Sequence, residues 1–315
     1  MHRFIIRRLL MLIPIVLGVS LLIFMIIDMI PGDPGSMLLG AGARQEDIDM
    51  LNEELGYNQP FFRRYANYMG NAIFRFDLGR SYATKRPVLD EIGNRLPVSL
   101  IVASSAIFFS LIVGVPIGVL SAVKQNTLAD RIPTGLALLL SSQPGFLIGI
   151  VLMLIFSLRL NLITPHGIAN WTNYIMPMVS LGLPNAGRQL RFTRSSMLET
   201  IRQDYVRTAR AKGATERTAI WRHAMKNALL PVITIAGNNF GVLIGGAIAT
   251  ETLFGLPGLG SFIVTGIRSK DVPVVTGGII VFAIIFALVM LAVDVSYAFV
   301  DPRIRAKYIR RKGLA

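Results

Sequence analysis

The sequence predicts an all-α membrane protein with six transmembrane helices and a long extracytoplasmic loop after the first helix. Three observations carry this. Of 315 residues, 53% are hydrophobic and only 16% are charged, where a soluble domain carries roughly a quarter charged residues. Apolar runs of about 20 residues, the length that crosses a bilayer core, recur along the chain. Lys and Arg gather in alternate segments between those runs, as they do in cytoplasmic loops.

The first span runs from about Leu9 to Ile30, behind the basic start MHRFIIRR. Its apolar stretch exceeds the core of a signal peptide and no A-x-A-like cleavage site follows, so it reads as an uncleaved anchor. The second span is near Val98 to Val123 and the third near Thr134 to Leu158. The fourth, near Tyr174 to Leu190, is expected to be broken by Pro177 and Pro184. The fifth runs from about Leu229 to Thr250 and the sixth from about Val274 to Val300.

With the N-terminus inside, segments 1–8, 124–133, 191–228 and 301–315 hold 3, 2, 9 and 6 of the 32 Lys and Arg residues. The outside segment 31–97 is nearly neutral, with 8 basic and 9 acidic residues. Both termini are therefore expected in the cytoplasm. The net charge of +14 reflects topology and contact with anionic membrane lipid. Nucleic acid is not an expected partner, since that role needs a soluble basic face with stacking aromatics. Three regions follow: 1–95 (first helix plus extracytoplasmic loop), 96–303 (a five-helix core with the cytoplasmic loop 204–228) and 304–315 (a basic cytoplasmic tail).

The outside segment opens with PGDPG, turn residues that end the first helix. EDIDMLNEEL (46–55) spaces Ile48, Leu51 and Leu55 on one face, and PFFRRYANYMGNAIF (60–74) is aromatic and amphipathic. Both read as short helices on the outer face, either a cap or a docking surface for a soluble partner. Further on, ETLFGLPGLGSF reads as a re-entrant or tightly turned segment.

The inside segment 204–228 is different in kind. A helix is expected through Lys212, broken by Gly213, and a second from Glu216 to Ala228 with Thr215 as N-cap, stopped by Pro231. Its polar face mixes Arg and Lys with Thr208, Ala209, Ala211, Gly213 and Ala214. An interfacial helix held by lipid phosphates needs the charges but not the small residues, which allow close backbone approach.

Polar residues inside spans are expensive and default to functional candidates. Gln143 with Pro144 interrupts span three, Asn238 and Asn239 lie in span five, and Asp294 lies in span six. Gln143, Asn238 and Asn239 are candidates to line a passage, against the alternative of hydrogen bonds between helices. Asp294 is placed to pair with Arg303 or Arg305 of the tail. The pairs Gly114/Gly118, Gly145/Gly149 and Gly241/Gly245 fit close packing, within the chain or against a second subunit. No catalytic or metal residue is expected. The chain has no cysteine, no G-x-S-x-G and no H-E-x-x-H, and its histidines, His2, His166 and His223, lie outside the spans. No G-x-x-x-x-G-K-[ST] is present to cradle ATP.

The run RTARAKGA, followed after eight residues by HAMKNALLP, resembles the EAA loop of ABC importer permeases. Arg207, Thr208 and Ala209 take the E-A-A places, Gly213 the glycine, and Leu230 with Pro231 the closing L-P. The Glu is Arg here and the glycine-to-proline gap is longer, departures similar to those of the dipeptide, oligopeptide and nickel branch. RFIIRRLL, PGDP, FDLGRS, RPV…EI..RLP, RFTRSSMLE, LFGLPGLG and DPRIR extend that resemblance over nearly the whole chain.

The resemblance implies a type I ABC importer permease fold in a bacterial inner membrane, and a second homologous permease beside it. It implies two cytoplasmic ABC ATPase subunits that bind ATP and Mg, leaving this chain non-catalytic and without a cofactor, and a soluble binding protein that delivers substrate. Arg207, Thr208, Ala209, Arg210, Ala211, Lys212, Gly213 and Ala214 then form the ATPase-coupling segment, with Arg217 and Arg222 as further contacts. Peptide is the implied substrate, with glutathione-like peptides and nickel chelates as alternatives. The rival class is an ion-coupled secondary transporter, which would be expected to show inverted repeats and central carboxylates. Neither is found.

Overall fold

Helices dominate the computed structural model, which describes residues 2–40, 42–164, 166–168 and 170–300. The outer segments come first: α1 (His2–Met29), α2 (Pro34–Leu39), α3 (Gln45–Glu54) and α4 (Phe61–Phe74). Next are α5 (Val88–Val123), α6 (Leu128–Ser141), α7 (Gly145–Leu152) and α8 (Ile175–Ile201). They are followed by α9 (Asp204–Ala211), α10 (Glu216–Thr218), α11 (Met225–Leu253), α12 (Leu259–Arg268) and α13 (Val272–Val300). The side chain of Asp294 and its suggested partners Arg303 and Arg305 lie outside the described residues.

Within α1, α5, α11 and α13 the stretches Leu10–Met29, Val88–Val123, Pro231–Leu253 and Val272–Val293 are each long and apolar enough to cross a membrane alone. The pair Leu128–Ser141 and Gly145–Arg159 is together apolar enough for a broken span or a re-entrant segment, and is bent by 100° where Gln143 and Pro144 interrupt the chain. Helix α8 is the sixth element of the expected set. Its 27 residues span about 40 Å, but Arg188, Arg191 and Arg194 make it less apolar than the others. The expected break at Pro177 and Pro184 does not occur. Pro177 sits in the first turn, where its missing N–H is free in any case, and Pro184 is carried inside the helix.

The described chain forms two compact units, Met1–Ser99 with Gly255–Leu288 and Leu100–Phe254 with Val289 onward. In the first, Phe24 of α1 packs edge-to-face against Phe61 (5.5 Å) and Tyr65 (5.6 Å) of α4. Leu78, Val88, Ile92, Leu259, Phe262, Ile263 and Val275 complete that core. Asp33 caps α2 by accepting from Ser36 N at 2.8 Å and also accepts from Asn52 Nδ2 at 2.6 Å. Burial pushes its carboxyl up, but these hydrogen bonds outweigh it and hold the pKa below its ordinary value.

Two buried charges close this unit. Lys270, at φ +52° and fully buried, donates from Nζ to Ile30 O at 2.7 Å, to Gly32 O and to Tyr57 Oη at 3.0 Å. It thereby meets the carbonyls that the end of α1 leaves open. Asp271 accepts from Ser81 Oγ at 2.6 Å and Ala83 N at 3.2 Å, and caps α13 through Val274 N at 3.3 Å. Burial still dominates and raises its pKa.

The second unit is built around α8. A Cβ added at Gly114 or Gly118 of α5 would stand 2.6 Å from Ala186 O or 2.7 Å from Leu190 O, and one at Gly187 would stand 2.6 Å from Ala137 O of α6. Backbones touch at these points, so α8 is sheathed by its neighbours. Gly145 likewise meets Ser180 O, and Gly149 meets Leu253 and Phe254, so these two glycine pairs pack within the chain. Arg194 is held by Asp130 of α6 through paired bonds of 2.6 and 2.8 Å.

Candidate functional site

The segment 204–228 folds as a helical knob on the ends of three longer helices. Helix α9 is amphipathic and buries Val206 and Ala209. Val206 joins Val119 and Ala122 from the end of α5, Met197 from α8, and Ala219, Ile220, Ala224 and Ala228 beyond the turn. The opposite side of α9 exposes Tyr205, Arg207 and Thr208, with Ala211, Lys212 and Gly213 following.

The turn that Gly213 makes is fully hydrogen-bonded. Gly213 has φ +84°, its N–H donates to Arg210 O at 2.9 Å, and Ala214 N donates to Ala209 O at 3.1 Å. These are the two bonds of a Schellman cap, which ends a helix on a left-handed residue. Thr215 then caps the next helix by accepting from Thr218 N at 3.3 Å. Arg210 clamps Glu216 across the turn with Nε–Oε1 of 2.8 Å and Nη2–Oε2 of 3.2 Å.

Beyond Thr218 the backbone widens into a π-helix, Ala219–Ala224, and continues as α11. The expected stop at Pro231 is not present, because α11 carries Pro231 inside it. Neighbouring side chains bond the carbonyls on either side: Ser196 Oγ donates to Ala228 O at 2.9 Å, and Gln189 Nε2 to Val232 O at 3.1 Å. These bonds tie α8 to α11 on both sides of Pro231. The knob is thus one piece with the fifth span.

Of the eight sequence-predicted coupling residues, Arg207, Thr208, Ala211, Lys212 and Gly213 lie on the open surface. Ala209 faces the core, Ala214 is half-buried, and Arg210 is engaged by Glu216. Arg217 and Arg222 are exposed, as is Trp221 at 53%. Sequence reasoning missed Tyr205 and Trp221. Their signal was present, large aromatics within a polar loop, but nothing in helical periodicity shows that a π-turn aims Trp221 outward.

The passage candidates lie on two elements, the bend between α6 and α7 and the helix α11. Gln143 is exposed at the 100° bend. Asn238 is exposed on α11, while its neighbour Asn239 is half-buried with Nδ2 enclosed and unbonded.

Residues 114–306 match the family described as binding-protein-dependent transport system inner membrane component, and residues 1–103 match its N-terminal membrane component. The glutathione transport system permease protein GsiC of Escherichia coli K12 is 38% identical over 307 residues, covering 98% of this chain and all of that protein. The GsiC protein of Shigella boydii is 37% identical over the same extent. Among solved structures, the inward-facing methionine ABC transporter MetNI aligns with a TM-score of 0.57 at 19% identity, over 67% of this chain and 96% of that one. An amino acid ABC transporter with histidines aligns with a TM-score of 0.52 at 13% identity, over 68% and 94%. At those identities the structures speak for the fold. The chain therefore belongs to the family of binding-protein-dependent transport system inner membrane components, and is a multi-pass permease subunit of an ABC importer.

Proposed function

We propose that this permease pairs with a second homologous permease to form the path for peptides brought by a soluble binding protein. Two cytoplasmic ABC ATPases dock under the 204–228 knob and supply the energy. In this reading both termini are cytoplasmic, the chain itself is non-catalytic and holds no cofactor, and ATP and Mg belong to the ATPase partners. Gln143, Asn238 and Asn239 face the path.

One observation carries the reading: the knob is packed on the ends of α5 and α8 and runs without a break into α11. Close-packed cores transmit displacement rather than absorb it, so a pull on α9 and its turn moves three helices together. Arg207, Thr208, Ala211, Lys212 and Gly213 form the contact surface, while Ala209, Arg210 and Ala214 hold its shape. The peptide substrate is supported by the GsiC relatives, since glutathione is a tripeptide.

The test is co-purification of the tagged chain in mild detergent, with mass spectrometry of what accompanies it. A second permease and P-loop ATPases are expected from wild type, and loss of the ATPases from Gly213→Asp. A chain that purifies alone at every mild condition would overturn the reading.

A further inference from the structure

Two arginines on α8 live in opposite circumstances. Arg194 is neutralised by the paired bonds to Asp130. Arg188, six residues or about 9 Å along the same helix, is exposed and pairs with no carboxylate among the described residues. Its Nη1 donates to Asn185 Oδ1 at 3.3 Å, and Asn185, itself buried, is fixed by donating from Nδ2 to Leu181 O at 2.8 Å. Asn185 thus orients the guanidinium without neutralising it. An uncompensated cation within the expected fourth span, here three residues before the expected cytoplasmic segment 191–228, is costly against lipid, and where it persists it faces water or a ligand-bearing space.

Such a space is present. Arg188 borders a cavity of about 140 Å³ whose lining includes Asn185, Gly145, Gly246 and Ala249 together with the apolar Phe146 and Leu243, several times a water molecule's share of about 30 Å³. Among the described residues no acidic one lines it. On α11 the exposed residues Asn238, Val242, Gly246 and Ala249 follow at intervals of four, four and three, one face of a helix. Three of those four are small or polar. The exposed residues of α1, by contrast, include Leu10, Ile13, Leu22 and Ile26, as a lipid-facing surface requires.

We infer that Arg188, positioned by Asn185, is an anion-recognition site in the translocation path and takes a carboxylate of the peptide in transit. The inference rests on the peptide-import reading above. A planar guanidinium matches a carboxylate in two parallel hydrogen bonds. The single contact to Asn185 leaves most of its five donors free.

The chain contains no cysteine, which allows a charge-replacement experiment on the whole complex in proteoliposomes. The probe is labelled tri-alanine or S-methylglutathione, whichever the wild-type complex imports, at sub-saturating concentration. Arg188→Cys is expected to lose uptake about tenfold, the value of one charge-assisted hydrogen bond. Modification of the thiol with an ethylammonium methanethiosulfonate should recover uptake, and with the ethylsulfonate reagent should not. Wild-type complex treated identically controls for partner cysteines, and Arg188→Lys, which keeps the charge but not the two-pronged geometry, should retain uptake in part. Saturating peptide should slow modification of the introduced thiol.

Three results would overturn the inference: wild-type uptake by Arg188→Gln, equal recovery by both reagents, or charge recovery without any protection by peptide. The last would assign Arg188 to a structural ion pair with another subunit. A wild-type complex that imports neither probe fails the peptide reading itself, a distinct result.

Discussion

Gly213 occupies left-handed backbone at φ +84°, which costs a residue with a side chain about 1 kcal/mol or more, although a Cβ there would meet open space. The turn is therefore specified by conformation, and a glycine in a basic loop made it legible in the sequence. The role of Arg210 was not legible, since nothing in RTARAKGATE says that Arg210 reaches Glu216. That clamp is partly exposed and contributes at most about 1 kcal/mol, so its importance is to shape. Arg210→Glu should insert normally but lose ATP-driven uptake, because two carboxylates then face each other across the turn. Adding Glu216→Arg should restore uptake. Transport that stays lost in the double variant would mean that Arg210 itself touches a partner.

Among the elements, α8 shows how a helix with three arginines sits within a membrane bundle: its neighbours approach at glycines. The i, i+4 spacing of Gly114 and Gly118 announced close packing, but the partner emerged only from the fold. Gly118→Val would drive a side chain to within 2.7 Å of Leu190 O and Thr193 Cβ, and backbone cannot yield cheaply. A loss of about 1–3 kcal/mol is expected, read as a lower unfolding temperature of the purified protein in detergent. Gly135→Ala on α6 is the contrast, since nothing lies within 4 Å of its Cβ and alanine favours helix by up to about 1 kcal/mol. Equal behaviour of the two variants would remove the close-approach account. The proline expectations failed on α8 and α11 because Pro177 falls in the first turn, while Pro184 and Pro231 lie inside helices held by packed neighbours. Around Pro231, Ser196 and Gln189 of α8 bond the α11 backbone at Ala228 O and Val232 O.

For the whole molecule, the charge pattern predicts the orientation, with the basic 191–228 segment inside and the nearly neutral 31–97 segment outside. The absence of cysteine again gives a clean measurement. Glu53→Cys on α3 and Lys212→Cys at the end of α9 both sit at exposed positions. Glu53→Cys should react with a membrane-impermeant thiol reagent added outside an intact inner membrane, and Lys212→Cys only after the membrane is opened. The reverse pattern would invert the topology and place the knob on the wrong side for any cytoplasmic ATPase.

By itself the sequence determined the helical membrane class, the bend at Gln143 and Pro144, the turn at Gly213 with its Thr215 cap, and the features that mark the family. These depend on hydropathy and backbone preferences within a few residues, which a linear reading contains. Only the tertiary structure decided which charges are answered. Lys270 meets carbonyls about 240 residues away, and Arg194 finds Asp130 at a separation of 64, while Arg188, among the described residues, meets an amide. The same residue type carries no mark of its partner, because the free energy of a buried charge is set by the groups that folding brings to it.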